Sequence, residues 1–192
     1  MAYLPPRRVT RLNVRGRIRR SAAGNLDMKL ALLRDSTLRV LELLLDYSGS
    51  HVGSREMLLD PILYGYLEGR LGHMQRQHYV QVRGKSKPKR IDFRHGTENP
   101  VVIEFAVRPP TGGGQLYGSQ NSSELRKLCR IKQTAARLRV LLLIDLHSTP
   151  LEKDSLKLTY DSQNSGPVRF KRNSVRVLYV HRDLQYSFLW RP

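Results

Sequence analysis

Two carboxylates stand out for their setting. Asp92 lies in Arg90-Ile91-Asp92-Phe93-Arg94 and Glu104 in Val101-Val102-Ile103-Glu104-Phe105-Ala106, two short apolar runs joined by His95-Gly96-Thr97-Glu98-Asn99-Pro100. Both runs read as strands, and the joining segment reads as their turn. With the turn centred near residues 97 and 98, Asp92 and Glu104 fall opposite one another, their Cβ atoms about 5 Å apart. Alternation then puts Ile91, Phe93, Val101, Ile103, Phe105 and Val107 on one apolar face, and Asp92, Glu104, Ala106 and Arg108 on the other. Facing carboxylates repel unless something positive lies between them. Mg²⁺ suits that role because it takes one or two carboxylates and keeps its remaining positions for water and phosphate oxygens. The alternative is an exposed hairpin face on which the acids pair with Arg90, Arg94 or Arg108, each pair contributing under about 1 kcal/mol.

The elements that must position these groups follow from the pattern. Residues 26–47 read as helix, with a break expected near Asp35-Ser36, and a second helix runs from a Ser54 cap to about Leu71 with Pro61 inside it. Strands are expected at 78–83, 90–94 and 101–108, with the basic turn Gly84 to Lys89 between the first two. A helix over 122–137 precedes Val140-Leu-Leu-Leu-Ile144, an apolar run typical of a strand buried on both faces. On the helix, Leu125, Leu128, Cys129, Ala135 and Ala136 make one apolar stripe with Lys132 in its middle. A lysine on such a face has either a partner or a snorkelling stem. Residues 156–190 read as three or four short strands with a turn at 165–167.

The chain has 192 residues, 34 Lys and Arg against 16 Asp and Glu, a formal net charge of +18 and one cysteine. Its isoelectric point is near 10.7. Such an excess repels itself, and a polyanion is its usual counterpart, so nucleic acid is the expected partner. Residues 1–25 carry seven arginines and no acid, and with Pro5-Pro6 and Gly16 they read as a flexible basic arm ahead of a domain at 26–192. Arg83, Lys85, Lys87, Lys89 and Arg90 beside the acidic pair, with Arg108, read as a phosphate track. His51, His73, His78 and His95 read as surface or phosphate contacts. A lone cysteine excludes an internal disulfide and a multi-cysteine zinc site and fits a reducing, intracellular setting. No apolar run reaches the about eighteen residues of a membrane span.

The order helix, three strands, helix, strand, with Asp92 on one strand and Glu104 on the next, resembles the core of the PD-(D/E)XK, or restriction-endonuclease-like, nucleases over residues 50–147. The resemblance implies an α/β fold: a central mixed sheet with an αβββαβ core, here followed by C-terminal β-strands. It also implies a nuclease, DNA ahead of RNA as substrate, and Mg²⁺ or Mn²⁺ held by Asp92, Glu104, the Phe105 carbonyl and, from the preceding helix, Glu56. Metal-activated water would attack a phosphodiester. Cutting both strands of a duplex would favour a homodimer. The family's lysine falls at position 106, where this chain has Ala106. Three accounts follow: an engineered inactive nuclease, a basic role moved to Lys132 or Arg108, or decay into a binding module. A basic RNA-binding or ribosome-associated protein without hydrolase ancestry is the reading from a different class.

Overall fold

The computed structural model describes residues 12–48, 56–110, 116, 119–162 and 173–191. The expected capping Ser54, the 165–167 turn and His51 lie outside them. Four helices and six strands follow in the order α1 (Leu12–Ser48), α2 (Glu56–Leu71), β1 (Met74–Val80), β2 (Lys89–His95), β3 (Val101–Arg108), α3 (Ser119–Arg130), β4 (Leu138–Asp145), α4 (Lys153–Ser162), β5 (Val175–His181) and β6 (Gln185–Trp190). The strands form one mixed sheet in sequence order, antiparallel at β1–β2, β2–β3 and β5–β6 and parallel at β3–β4 and β4–β5. The α/β class, the αβββαβ order and the C-terminal strands are those read from the sequence.

Helices cover both faces. Leu33, Val40 and Leu41 of α1 and Leu59, Leu63 and Leu67 of α2 pack on Phe93, Ile103, Phe105, Val140 and Leu142. Leu125, Leu128 and Cys129 of α3 and Leu156 and Tyr160 of α4 pack on Val102, Leu141, Leu143, Val177 and Tyr179. Strand β4 is buried almost throughout, as its unbroken apolar run requires. No helix among the described residues is long and apolar enough to cross a membrane.

Three expectations are corrected here. Helix α1 passes through Asp35-Ser36 unbroken. The apolar spacing Leu33, Val40, Leu41 continues across that point, Asp35 pairs with the Arg34 guanidinium at 2.8 Å and the buried Ser36 hydroxyl has no hydrogen-bond partner, so neither side chain caps a new helix here. The same helix takes in positions 12–25, Gly16 included, where a flexible arm was expected; Pro5-Pro6 lies outside the described residues. No proline falls within 12–48, and its two glycines, Gly16 and Gly24, cost a helix only about 1 kcal/mol each. In the third case, α4 occupies Lys153–Ser162, where a strand was expected, leaving two C-terminal strands. Leu156 and Tyr160, four apart, are both buried against the sheet, a helical period rather than an alternating one.

Strand β2 also departs from simple alternation. Ile91 packs with Val80 and Leu128 on the α3 side, while Phe93 packs on the α1–α2 side. The switch falls at Asp92, which the β1–β2 register sets opposite Gln77, a residue with φ of +52°. Positive φ in a non-glycine residue is uncommon and marks a local distortion of the strand.

Candidate active site

Strands β2 and β3 pair as Phe93 with Ile103, Arg94 with Val102 and His95 with Val101. One step further, the same register sets Asp92 opposite Glu104. The ladder is replaced there by a side chain: the Phe105 N–H donates to Asp92 Oδ2 at 2.9 Å. The two carboxyl groups are close enough to act on one another's protonation, Asp92 raising that of Glu104. Glu104 is 3% exposed and sits under α3.

Helix α3 explains how a charge arrives there. Leu125, Leu128 and Cys129 are buried on its sheet-facing stripe, and Glu124 and Lys127, three apart, lie along its flank. Lys127 Nζ is 2.5 Å from Glu104 Oε1 and 3.0 Å from the Arg90 carbonyl, to which it donates, and it pairs with Glu124 as well. Two carboxyl groups, of Glu104 and Glu124, thus meet one ammonium, with Asp92 close by.

That imbalance shows in the protonation of the site. Burial, then the charge of Asp92, pushes Glu104 up to about 9 despite the Lys127 ammonium. Burial also raises Asp92, against the pull of the Phe105 N–H. Burial lowers Lys127, but Glu104 and then Glu124 outweigh it, and the ammonium is held above its ordinary value. Lys127 is therefore charged at neutral pH. Glu104 Oε1 and Glu124 Oε2 are buried without a well-angled hydrogen bond, the contacts to Lys127 being ion pairs of poor angle. Asp60 Oδ1, at the α2 side of the same cleft, is also buried without a partner, while Oδ2 takes Arg76 at 2.6 and 2.9 Å.

These groups line an open cleft of about 840 Å³ whose described walls carry Asp60, Asp92, Glu104 and Glu124 together with Lys85, Lys89, Arg90, Arg126, Lys127 and Arg130. Among the described residues no three His, Cys, Asp or Glu side chains are grouped as a ready metal cage. A cation that accepts one or two carboxylates and otherwise keeps water still fits: Asp92 and Glu104 are adjacent, the first half-buried and the second buried, with one ammonium beside them. Mg²⁺ or Mn²⁺ matches that donor set, and zinc, which prefers nitrogen and sulfur, does not.

Several sequence readings are placed differently. Lys132 lies beyond the end of α3, exposed in a turn, because the helix stops at Arg130 and not at 137. Arg108 is withdrawn from the site, Nη1 meeting the fully buried Asp145 at 3.0 Å and the Thr149 carbonyl at 3.0 Å. It can therefore neither replace the lysine nor track phosphate. Ala106 is partly buried against the α3-side core and does not line the cleft. His95 is buried, its Nδ1 2.9 Å from the Gly72 carbonyl, and is no surface contact. Glu56 opens α2, but its side chain lies outside the described residues. Lys85, Lys89 and Arg90 line the cleft as expected, whereas the exposed Lys87 and the half-buried Arg83 do not. Phe105 lines the cleft through its backbone, its ring being stacked on Phe93 at 5.4 Å.

Sequence reasoning missed Glu124, Lys127, Arg126, Arg130 and Asp60. The signal for the first two was an acid and a base three apart in the helix directly after the Glu104 strand. Attention to the apolar stripe hid it, because Lys127 works from the flank of that stripe.

No protein-family model matches the chain, nor does any curated protein. Among solved structures, the crystal structure of SSO0001 is similar at 16% identity over 72% of this chain and 77% of that one, with a TM-score of 0.33, too low for the likeness to carry any argument.

Proposed function

We propose that this chain is a metal-dependent nuclease of the PD-(D/E)XK type in which the signature lysine is supplied by α3 as Lys127 instead of by position 106. The observation that carries the reading is the ammonium of Lys127 lying 2.5 Å from Glu104 beside Asp92 in a cleft with a basic rim. Its presence favours the moved-lysine account over engineered inactivation or decay, since a site that had lost its lysine would leave the acids without a cation.

Asp92 and Glu104 would hold Mg²⁺ or Mn²⁺, with the Phe105 carbonyl available beside them. The ion would supply Lewis acidity at the phosphoryl oxygen and a more acidic bound water. Lys127, kept charged by its carboxylates, does not abstract a proton at neutral pH; it offsets negative charge developing on the phosphoryl group. Lys85, Lys89, Arg90, Arg126 and Arg130 grip flanking phosphates and orient the strand. DNA is the proposed polymer ahead of RNA, and cutting both strands of a duplex would call for two copies of the chain.

The test is cleavage of single- and double-stranded DNA and RNA with Mg²⁺, Mn²⁺ or chelator, by the original chain, Asp92→Asn and Lys127→Met. Metal-dependent cutting by the original chain alone is expected. Silence of the original chain on every substrate with either metal, while nucleic acid still binds, would make this a binding module and end the enzyme reading.

A further inference from the structure

Among the described residues, His73, Gln77 and Asn99 have positive φ without being glycine. His73 joins α2 to β1 and Asn99 lies in the β2–β3 turn, where such a conformation is ordinary. Gln77 is different, because it stands inside β1 with φ of +52°. Glycine visits that region freely, and asparagine or aspartate reach it through their short side chains; glutamine has neither means. Strand β1 is the edge of the sheet, and the register on either side of Gln77, Arg76 with Phe93 and His78 with Ile91, sets it opposite Asp92. Gln77 is exposed and lines the carboxylate cleft, and its side-chain amide has no hydrogen-bond partner among the described residues.

A strained residue inside a strand persists only where something else requires it. The distortion does turn Ile91 toward Leu128 and Phe93 toward the α1–α2 side. A backbone that has only to bend at this point is served as well by glycine, and without the strain. What glycine lacks is the amide. The basic side chains of the cleft, Lys85, Lys89, Arg90, Arg126 and Arg130, suit phosphates, and phosphate contacts carry no sequence information. An amide both donates and accepts, which matches a base edge, and glutamine fits N6 and N7 of adenine best. A base stands one sugar away from its phosphate. A phosphate held at Asp92 and Glu104 therefore brings a base within reach of the residue opposite Asp92.

We propose that Gln77 is a specificity residue of the cleft: its strained backbone holds the side-chain amide against the base beside the phosphate at Asp92 and Glu104, with adenine preferred. This rests on the carboxylate cleft being the nucleic-acid site proposed above. It does not rest on cutting, because a base preference shows in binding as well as in cleavage.

Anisotropy binding in the presence of chelator tests it, with short single-stranded polymers of deoxyadenosine, of thymidine, and of a deoxyadenosine analogue carrying carbon in place of N7. The original chain should bind the adenine polymer about tenfold tighter than the analogue, the size of one good base contact. Gln77→Gly accepts the same φ without the amide, and should bind the two alike. Its Tm should equal or exceed that of the original chain, since the strain is relieved. In cleavage with Mn²⁺, the same variant should lose the preference for cutting beside adenine, a change that a purely structural role would not produce. Equal weakening of Gln77→Gly on every polymer would make the residue a phosphate contact. A fall in its Tm of more than about 2 °C would make it a structural one. Either result overturns the proposal, as does an original chain indifferent to N7. Adenine preference in binding without any cutting sinks the nuclease reading and leaves this one standing, and cutting without base preference does the reverse.

Discussion

Strand β3 carries two buried charged clusters four residues apart, and they are built on opposite principles. At its end, Arg108 meets Asp145, which also takes the Tyr179 hydroxyl at 2.5 Å and the His147 N–H at 2.9 Å. The Tyr179 oxygen in turn accepts the Leu151 N–H at 2.8 Å. Every partner there serves the 146–151 loop that follows β4. In the middle of the strand, Glu104 shares one ammonium with Glu124 beside Asp92, and two carboxyl oxygens have no well-formed hydrogen bond. The first cluster holds a loop in place. On the proposed reading a further positive group would complete the second, and perturbed charge of this kind in a cleft makes it the candidate working site.

The largest expected effect separates the two clusters by function. Lys127→Met should lower metal-dependent cleavage by about 10²–10³, the usual loss when one preorganised charge-stabilising group is removed. Filter or anisotropy binding should change far less. Next in size, Asp145→Ala leaves Arg108 buried and unpaired, and should cost about 3–5 kcal/mol, lowering Tm by roughly 10 °C. If Lys127→Met destabilised the fold as much as Asp145→Ala and left cutting intact, the comparison would be inverted.

A pH series sharpens it further. Glu104 titrates near 4.5 in the unfolded chain and is raised to about 9 in the fold, so between those values the folded protein binds the extra proton. Stability should then fall as pH rises from about 5 to 9, since the proton taken up on folding becomes harder to supply. Glu104→Gln should flatten that fall and melt a few degrees above the original chain at pH 8, with less difference at pH 5. Millimolar Mg²⁺ should raise Tm of the original chain at pH 8 and leave Glu104→Gln nearly unchanged. An equal response of both proteins to Mg²⁺ would show that the ion binds elsewhere.

The sequence revealed the acid pair but not the base, for a physical reason. Asp92 and Glu104 were legible because strand alternation and one short turn fix a register, and a register fixes which side chains meet. β3, β4 and the αβββαβ order were legible from apolar period in the same way. Lys127 depends on where a helix docks on a sheet and on the reach of a long side chain, and neither is periodic. The helix end was misjudged because Ile131, Ala135 and Ala136 continue an apolar pattern after the helical hydrogen bonds stop, the chain turning at 132–135 to feed β4. The kink at Gln77 and Asp92 left no trace in residue type, and for that reason Ile91 was assigned to the wrong face.

The smallest expected effect is at Lys132. As part of an apolar helical stripe it would be a buried ammonium, and its removal would matter greatly for either stability or catalysis. In the fold it is exposed, one residue past the Val82–Ile131 bridge, and its carbonyl accepts the Ala135 and Ala136 N–H groups at 3.0 and 3.1 Å. Only the backbone of this residue does structural work, and alanine keeps that backbone. Lys132→Ala should therefore shift stability by no more than about 0.5 kcal/mol, as surface substitutions do. Cleavage should stay within twofold of the original chain, measured beside Lys127→Met in the same assay. A loss of cutting at Lys132 comparable to that at Lys127 would mean that α3 extends past Arg130 when substrate binds, and that both lysines serve the cleft.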